Sequence, residues 1–445
     1  MFLVCLVLVL VGGAYALKAT RSVGSSAKPN LILISLDTLR ADRLGTYKYP
    51  RDTSPFLDRW SQDAVVFEHA VSVAPWTLPS HVSMFTGLYP SSHGVTRAKK
   101  GSIGADTQLL TEILKKDGYQ TFAFTAGGYV SERYGFGRGF DSFLVNKGEH
   151  LGEARGFPYT VKLAQEKLKT SDPTKPYFLF LHTYAVHCPY DPPAPYDRMF
   201  VSPGAERIDA VSCARFFGED PVSPGNALYL SDLYDGSVRF LDLQLEKLFA
   251  GLKESGHLDN TIVVITSDHG EEFLEHGRIG HKKSVHKELL MIPLIVGGPG
   301  IKGQRIPDTV SNVDLLPTIL ELLHLPIPAE IDGHSLVAMM RGAQEDYSRP
   351  PYQLSELDHG SVLRSLMEPV SEQFIVDLKS HESELYDLKN DPGSQKNIAL
   401  AMPDRIAEWK GILDRLIKGL HARAAGTLEP ASKEQIQQLK TLGYL

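Results

Sequence analysis

The chain has 445 residues, 42% of them hydrophobic and 22% charged, with a formal net charge of -7. Such a chain can bury a large core, in two or three domain-sized units or in one large α/β domain. Its mild acidity, with charges well mixed and no long basic run, argues against nucleic acid or an anionic membrane surface as the main partner.

Residues 1–16 carry an apolar run followed by small residues, with Ala14-Tyr15-Ala16 offering an A-x-A-like cleavage site. The segment reads as a signal peptide, which makes the protein exported, periplasmic or secreted. The alternative is an uncleaved N-terminal anchor, since no Lys or Arg precedes the run; it is shorter than the roughly 20 residues of a full span. Residues 17–29 form a polar linker. Of three cysteines, Cys5 lies in the first segment. In an exported protein Cys188 and Cys213 either pair or remain two buried thiols.

From Asn30 onward, near-continuous apolar runs alternate with amphipathic segments. NLILISLD ends in Asp37, TFAFTA ends at Ala126, YFLFLHTYAVH runs to His187, TIVVITSD ends in Asp268, and PLIVGGPG closes on glycines. Helical spacing marks Gln108 to Lys116, Tyr159 to Leu168 and Ala227 to Ser255. Strands buried on both faces and separated by helices predict an α/β fold with a largely parallel sheet sandwiched by helices. Ligands of such sheets bind beyond the strand C-termini, where Asp37, His187 and Asp268-His269 fall.

Ala74 to Gly87, APWTLPSHVSMFTG, reads as a loop turning into a short helix, with Pro79 in its first turn and Gly87 at its end. Thr77 stands at the positive end of that helix. It is either an ordinary cap or a nucleophile whose oxygen, or the group attached to it, is stabilised there. Residues 351–390 read as short extended pieces, and Pro403 to Leu420 as a helix. This tail predicts a small C-terminal α+β subdomain with no chemistry of its own.

Asp37, Asp268 and His269 are the metal-ligand candidates, two carboxylates and an imidazole at strand ends. The stretch after Asp268 also holds His276, His281 and His286. His276 or His281 is a candidate for a second metal site, while His286 and most of the nearby carboxylates read as a solvated surface.

Taken in order, LISLDTLRADRLG, APWTLPSHVSMFTGLYPSSHGV, FLFLHTYAVHCPYDPP, ITSDHGEEFLEHG, SNVDLLPTILELL, DGHSL and ELYDLKNDPGSQKNIA resemble the sulfatase family of the alkaline-phosphatase superfamily. The resemblance implies an alkaline-phosphatase-like catalytic domain over residues 30–332 and a C-terminal subdomain over 333–445. It places Thr77 at the nucleophile, Asp37 and Asp268 among the metal ligands, and His187 on the substrate side.

Four positions depart from the family pattern. The nucleophile is Thr rather than Cys or Ser, the helix arginine is His81, the second aspartate of the usual pair is Thr38, and His269 follows Asp268 where Asn is common. The family's Gly-Lys-x-His segment is also missing, its place taken by AGGYVSERYGFGRGFD. Typical members convert Cys or Ser to formylglycine, whose hydrate expels the sulfuryl group by collapsing to an aldehyde; Thr77 lacks that route. A Thr ester must be released by attack of water or an acceptor hydroxyl at sulfur or phosphorus. His269 moves the donor set from all-oxygen, suited to calcium, towards zinc or manganese.

These residues together imply a metal-dependent hydrolase of sulfate or phosphate esters. It holds one divalent cation and takes a small-molecule, glycan or lipid ester. Thr77, His187 and His281 are its catalytic candidates, and His81 and Lys282 its substrate-binding ones. One alternative is a phosphodiesterase or phosphotransferase resembling the phosphoethanolamine and glycerol-phosphate transferases, which also attack with Thr. The other is a non-catalytic binding protein on the same fold.

Overall fold

The computed structural model describes residues 28–97, 101–146, 156–208, 222–343, 351–420, 422–428 and 430–442. The expectations for residues 1–16 and for Cys213 lie outside them; Cys188 is disulfide-bonded. No helix of the described residues is long and apolar enough to cross a membrane.

The central sheet is built from β1 (Asn30–Leu36), β2 (Val65–Val71), β3 (Gln120–Thr125), β4 (Ser142–Val145), β5 (Tyr177–Thr183), β6 (Thr261–Thr266), β9 (Met291–Gly297) and β10 (Gln304–Ser311). The small hairpin β7 (Glu272–Phe273) and β8 (Ile279–Gly280) lies between β6 and β9 in the chain. The strand order is β10-β2-β9-β6-β1-β5-β3-β4. Only β9 runs against the others among the described strands, pairing antiparallel with both β2 and β6.

The apolar runs form central strands because both faces are covered. Leu31 and Leu33 of β1 point into one cluster and Ile32, Ile34 and Leu36 into another, as the two-residue period of a strand requires. The second cluster is closed by the long helix Pro224–Glu254 through Leu230, Tyr234, Val238, Leu241 and Leu245. The first is closed by the helix Thr77–Thr86, all of whose residues are buried. That helix ends at Gly87, whose φ of 68° is the left-handed conformation a glycine cap supplies at least cost.

A second sheet, antiparallel, comprises β11 (Gln353–His359), β12 (Ser361–Glu368), β13 (Glu372–Asp377) and β14 (Ser383–Asp387). The helix Pro403–Gly419 covers it through Trp409, whose Nε1 donates to Glu372 at 3.1 Å. Leu354, Leu366, Phe374 and Trp409 belong to the same apolar cluster as the Thr77–Thr86 helix, so the second sheet extends the main core.

Candidate active site

Neighbouring parallel strands β6, β1 and β5 end side by side, and their C-termini carry the site. Asp37 follows β1, and its backbone N–H donates to Thr183 at the end of β5, at 3.1 Å. Asp268 and His269 follow β6. On β1 the parity that turns Leu31 and Leu33 toward the Thr77–Thr86 helix also turns Ser35 and Asp37 that way. The side chains of Asp37, Thr77, Asp268 and His269 are all fully buried.

Asp37, Asp268 and His269 offer ligand atoms that lie within 4.8 Å of one another, the only such group among the described residues. Each is oriented from behind. His182 Nε2 donates to Asp37 Oδ2 at 3.2 Å. Asp268 Oδ1 accepts from the backbone N–H groups of Thr38 at 3.1 Å and His269 at 2.9 Å. Thr38 does so from a left-handed conformation, φ 61°, held by Tyr234, whose hydroxyl donates to its carbonyl at 2.8 Å. His269 Nδ1 donates to the Gly270 carbonyl at 2.8 Å, which fixes the tautomer and leaves an Nε2 lone pair facing Asp268 Oδ2 at 3.4 Å.

Asp37 Oδ1 and Asp268 Oδ2 are buried with no hydrogen-bond partner among the described residues. Burial pushes the Asp37 carboxyl up to about 8, and burial together with the Asp37 charge pushes Asp268 up to about 7. Two such oxygens beside an imidazole lone pair fit a divalent cation, which would satisfy both and offset their mutual repulsion.

Thr77 opens its helix directly after extended Trp76, and its Oγ1 lies 3.5 Å from His269 Nε2. Beneath it, His81 Nδ1 donates to the Thr77 carbonyl at 2.8 Å and Nε2 accepts from Ser35 Oγ at 2.9 Å. Both His81 nitrogens are thus committed below the nucleophile, and burial holds the ring down to about 4 and neutral. His81 therefore does not supply the positive charge that the family's arginine would carry at this position. Asn312 and Ser80 complete the support, Asn312 Nδ2 donating to Ser80 Oγ at 2.7 Å and Ser80 Oγ to the Asp268 carbonyl at 2.7 Å.

A row of buried rings adjoins His269. His281 lies 4.6 Å from His269 and 5.1 Å from His187, centroid to centroid. His281 Nδ1 and Glu271 Oε1 are 2.8 Å apart. His187 Nδ1 donates to the Cys188 carbonyl. Lys282, in a left-handed conformation with φ 73°, holds its ammonium 5.6 Å from the Trp76 ring centroid and 4.9 Å from that of Tyr129. Burial lowers it to about 7 against the pull of Asp37 and Glu271.

Two sequence expectations need correction. His286 is buried, only 4% exposed, and stacks on His276 at 3.7 Å, while Glu271 and Glu272 are buried as well. His276 turns to Glu288, its Nε2 3.1 Å from Oε2, so no second ligand group forms around it among the described residues. His359, at the end of β11 in the C-terminal subdomain, lies 6.3 Å from Trp76, centroid to centroid. His182 was missed altogether, although it shares the parity of Phe178 and Phe180, which face the Thr77–Thr86 helix.

The turn that stands where the family's Lys-x-His segment is missing is closely packed. A side chain at Gly127 would meet Gln438 at 2.2 Å, and one at Gly128 would meet Tyr184 at 2.6 Å and Leu442 at 2.9 Å. The C-terminal helix Lys433–Thr441 packs over this turn, and Gln438 Nε2 donates to the Ala126 carbonyl at 2.7 Å.

The family model described as Sulfatase matches residues 29–325, and that for the C-terminal part of N-sulphoglucosamine sulphohydrolase matches residues 275–418. The chain belongs to the sulfatase family, and the activity that goes with this membership is hydrolysis of a sulfuric ester. It is 26% identical to Arylsulfatase K of Gallus gallus, over 96% of this chain and 89% of the relative. It is 24% identical to Delta 4,5-hexuronate-2-O-sulfatase of Bacteroides thetaiotaomicron, over 88% of this chain and 89% of the relative. The phosphonate monoester hydrolase of Agrobacterium radiobacter shares the fold, with a TM-score of 0.74 at 20% identity, covering 87% of this chain and 95% of that one.

Proposed function

We propose that this protein hydrolyses a sulfate ester through a covalent ester on Thr77. The observation that carries the reading is the Thr77 hydroxyl at a helix N-terminus, 3.5 Å from His269 Nε2 and beside two buried carboxylates. A divalent cation held by Asp37, Asp268 and His269 would supply Lewis-acid stabilisation of negative charge on the ester; the mixed donor set favours zinc or manganese over calcium.

Thr77 Oγ attacks sulfur and its proton passes to Asp37. The bond from sulfur to the organic oxygen breaks, and that oxygen takes a proton from His281 Nε2 as the proton held with Glu271 moves onto Nδ1. Water then attacks the sulfur of the Thr77 ester and gives one proton back through His281 to Glu271. Thr77 Oγ leaves, recovering its proton from Asp37, and hydrogensulfate is released. Helix N–H groups stabilise the anion at each stage. His187 stands beside His281 as the alternative donor, Lys282 binds the ester's charged oxygens, and His81 positions Thr77 from below.

Phosphorus esters form a second reading, favoured by the Thr77 hydroxyl itself, since no aldehyde collapse is open to it and release must occur at the central atom. Turnover of an aryl sulfate, a phosphate monoester, a phosphate diester and a phosphonate monoester tests both readings. Thr77→Ala abolishes turnover while fold and metal content persist, and Thr77→Ser retains part of it. A wild-type protein inert on all four esters, or a fully active Thr77→Ala, contradicts the proposal.

A further inference from the structure

The helix Lys433–Thr441 carries little apolar surface of its own, Leu439 being buried in the main core and Ile436 exposed. The chain reaches it along a fixed path. The Arg423 N–H donates to the Ser92 carbonyl at 2.7 Å, and Ser102 and Gly426 exchange backbone hydrogen bonds at 3.1 and 2.8 Å. Ser432 and Gln435 then cap the first turn reciprocally. Gln438 and Leu442, at i and i+4, lie on one side.

That side closes over the carboxyl ends of β3 and β4. Gln438 Nε2 donates to the carbonyl of Ala126, directly after β3, at 2.7 Å and to that of Asn146, directly after β4, at 3.3 Å. Leu442, 1% exposed, packs with Ala126 and Tyr184. Between these contacts the chain turns tightly, the Val130 N–H donating to the Gly127 carbonyl at 3.0 Å, with Gly128 and Tyr129 at the tip. Thr125 Oγ1 pins the turn from within, donating to the Val130 carbonyl at 3.0 Å. Its tip sets the Tyr129 ring T-shaped against Trp76, 5.5 Å between centroids, and the Lys282 ammonium lies 4.9 Å from the Tyr129 centroid.

We infer that Gln438 and Leu442 are positioning residues of the ester site: they fix the Gly127–Val130 turn, and through the Tyr129 ring they set where Lys282 holds its charge. The inference rests on the reading of Thr77 and Lys282 as that site. A lysine ammonium on its flexible stem is placed by what surrounds it, and a Tyr129 ring on a slackened turn no longer holds it against the indole.

The test is the affinity of metal-loaded, full-length protein for sulfate ion, measured by calorimetry. Gln438→Met keeps the length of the side chain and loses both donated bonds. It weakens sulfate binding about three- to tenfold, the scale of a cation–π contact given up in part. In a Lys282→Met background the same substitution changes the affinity by less than about 1.5-fold, as required if the helix acts through Lys282. Tyr129→Leu, which leaves the helix itself untouched, reproduces both results. Lys440→Met, on the exposed side of the helix, alters neither. With 4-nitrophenyl sulfate as substrate, Gln438→Met raises KM and leaves kcat within about twofold, the pattern of a contact made equally in ground and transition states. Equal weakening in both Lys282 backgrounds, or no weakening by Gln438→Met or by Tyr129→Leu, overturns the inference. Sulfate binding without turnover of any ester refutes the Thr77 reading alone, and a wild type that binds no sulfate overturns both.

Discussion

Two histidine clusters grow from the single stretch Asp268–Glu288, and their fates differ. In the first, His269 and two carboxylates converge on one point, and Asp37 Oδ1 and Asp268 Oδ2 have no partner among the described residues. In the second, His276 and His286 stack at 3.7 Å, Glu288 is paired with His276 at 3.1 Å, Glu384 accepts from Tyr386 at 2.6 Å and Glu272 from Ser284 at 3.0 Å, and although Glu272 Oε1 and His286 Nδ1 are buried with no hydrogen-bond partner among the described residues, no three ligand atoms there converge. The second pins the loop to the C-terminal sheet, since Glu384 and Tyr386 belong to β14. Neither residue type nor the presence of an unsatisfied atom separates the two clusters. Convergence of three ligand atoms does, and it marks the first as a place for a cation.

The comparison can be broken by substitutions that should matter in one cluster only. After loss of Thr77, the largest effect is expected at His182, which touches the metal group only through Asp37 Oδ2. His182→Ala weakens metal affinity about 10- to 100-fold, the usual scale for a residue that orients a ligand. Titration with a competing chelator reads this directly, and unchanged affinity would remove His182 from the site's support.

A smaller effect is expected from His276. Burial alone would lower its imidazole, but Glu288 more than compensates and the ring is raised above its ordinary 6.5. A raised histidine contributes stability that is complete below the unfolded value and fades as pH climbs through the folded one. The difference in unfolding midpoint between wild type and His276→Gln should therefore shrink from pH 6 to pH 9, while turnover at fixed pH changes by less than about twofold. A gap that widens with pH would reverse the assignment of charge to this pair.

Much of this site is legible in the residues themselves. Asp37 and Asp268 are readable because a polar residue ending a buried apolar run must sit at a strand C-terminus, and Thr77 because Pro79 and Gly87 bracket a helix. His182 was equally readable from its parity with Phe178 and Phe180, but the histidine was absorbed into an apolar run. β10, with the sequence QRIPDTVS, carries no apolar pattern because it is an edge strand, pairing only with β2 among the described residues. The place of His359 was hidden for a different reason. It depends on contacts of β11 with Ser72 and Val73, more than 280 residues away in the chain, which no local pattern encodes.

Metal content measured on wild type, Asp268→Ala and His276→Ala decides between the two clusters most directly. The account predicts one zinc or manganese per chain in wild type and in His276→Ala, and its loss in Asp268→Ala. Equal metal in Asp268→Ala and wild type, or loss in His276→Ala, would contradict it.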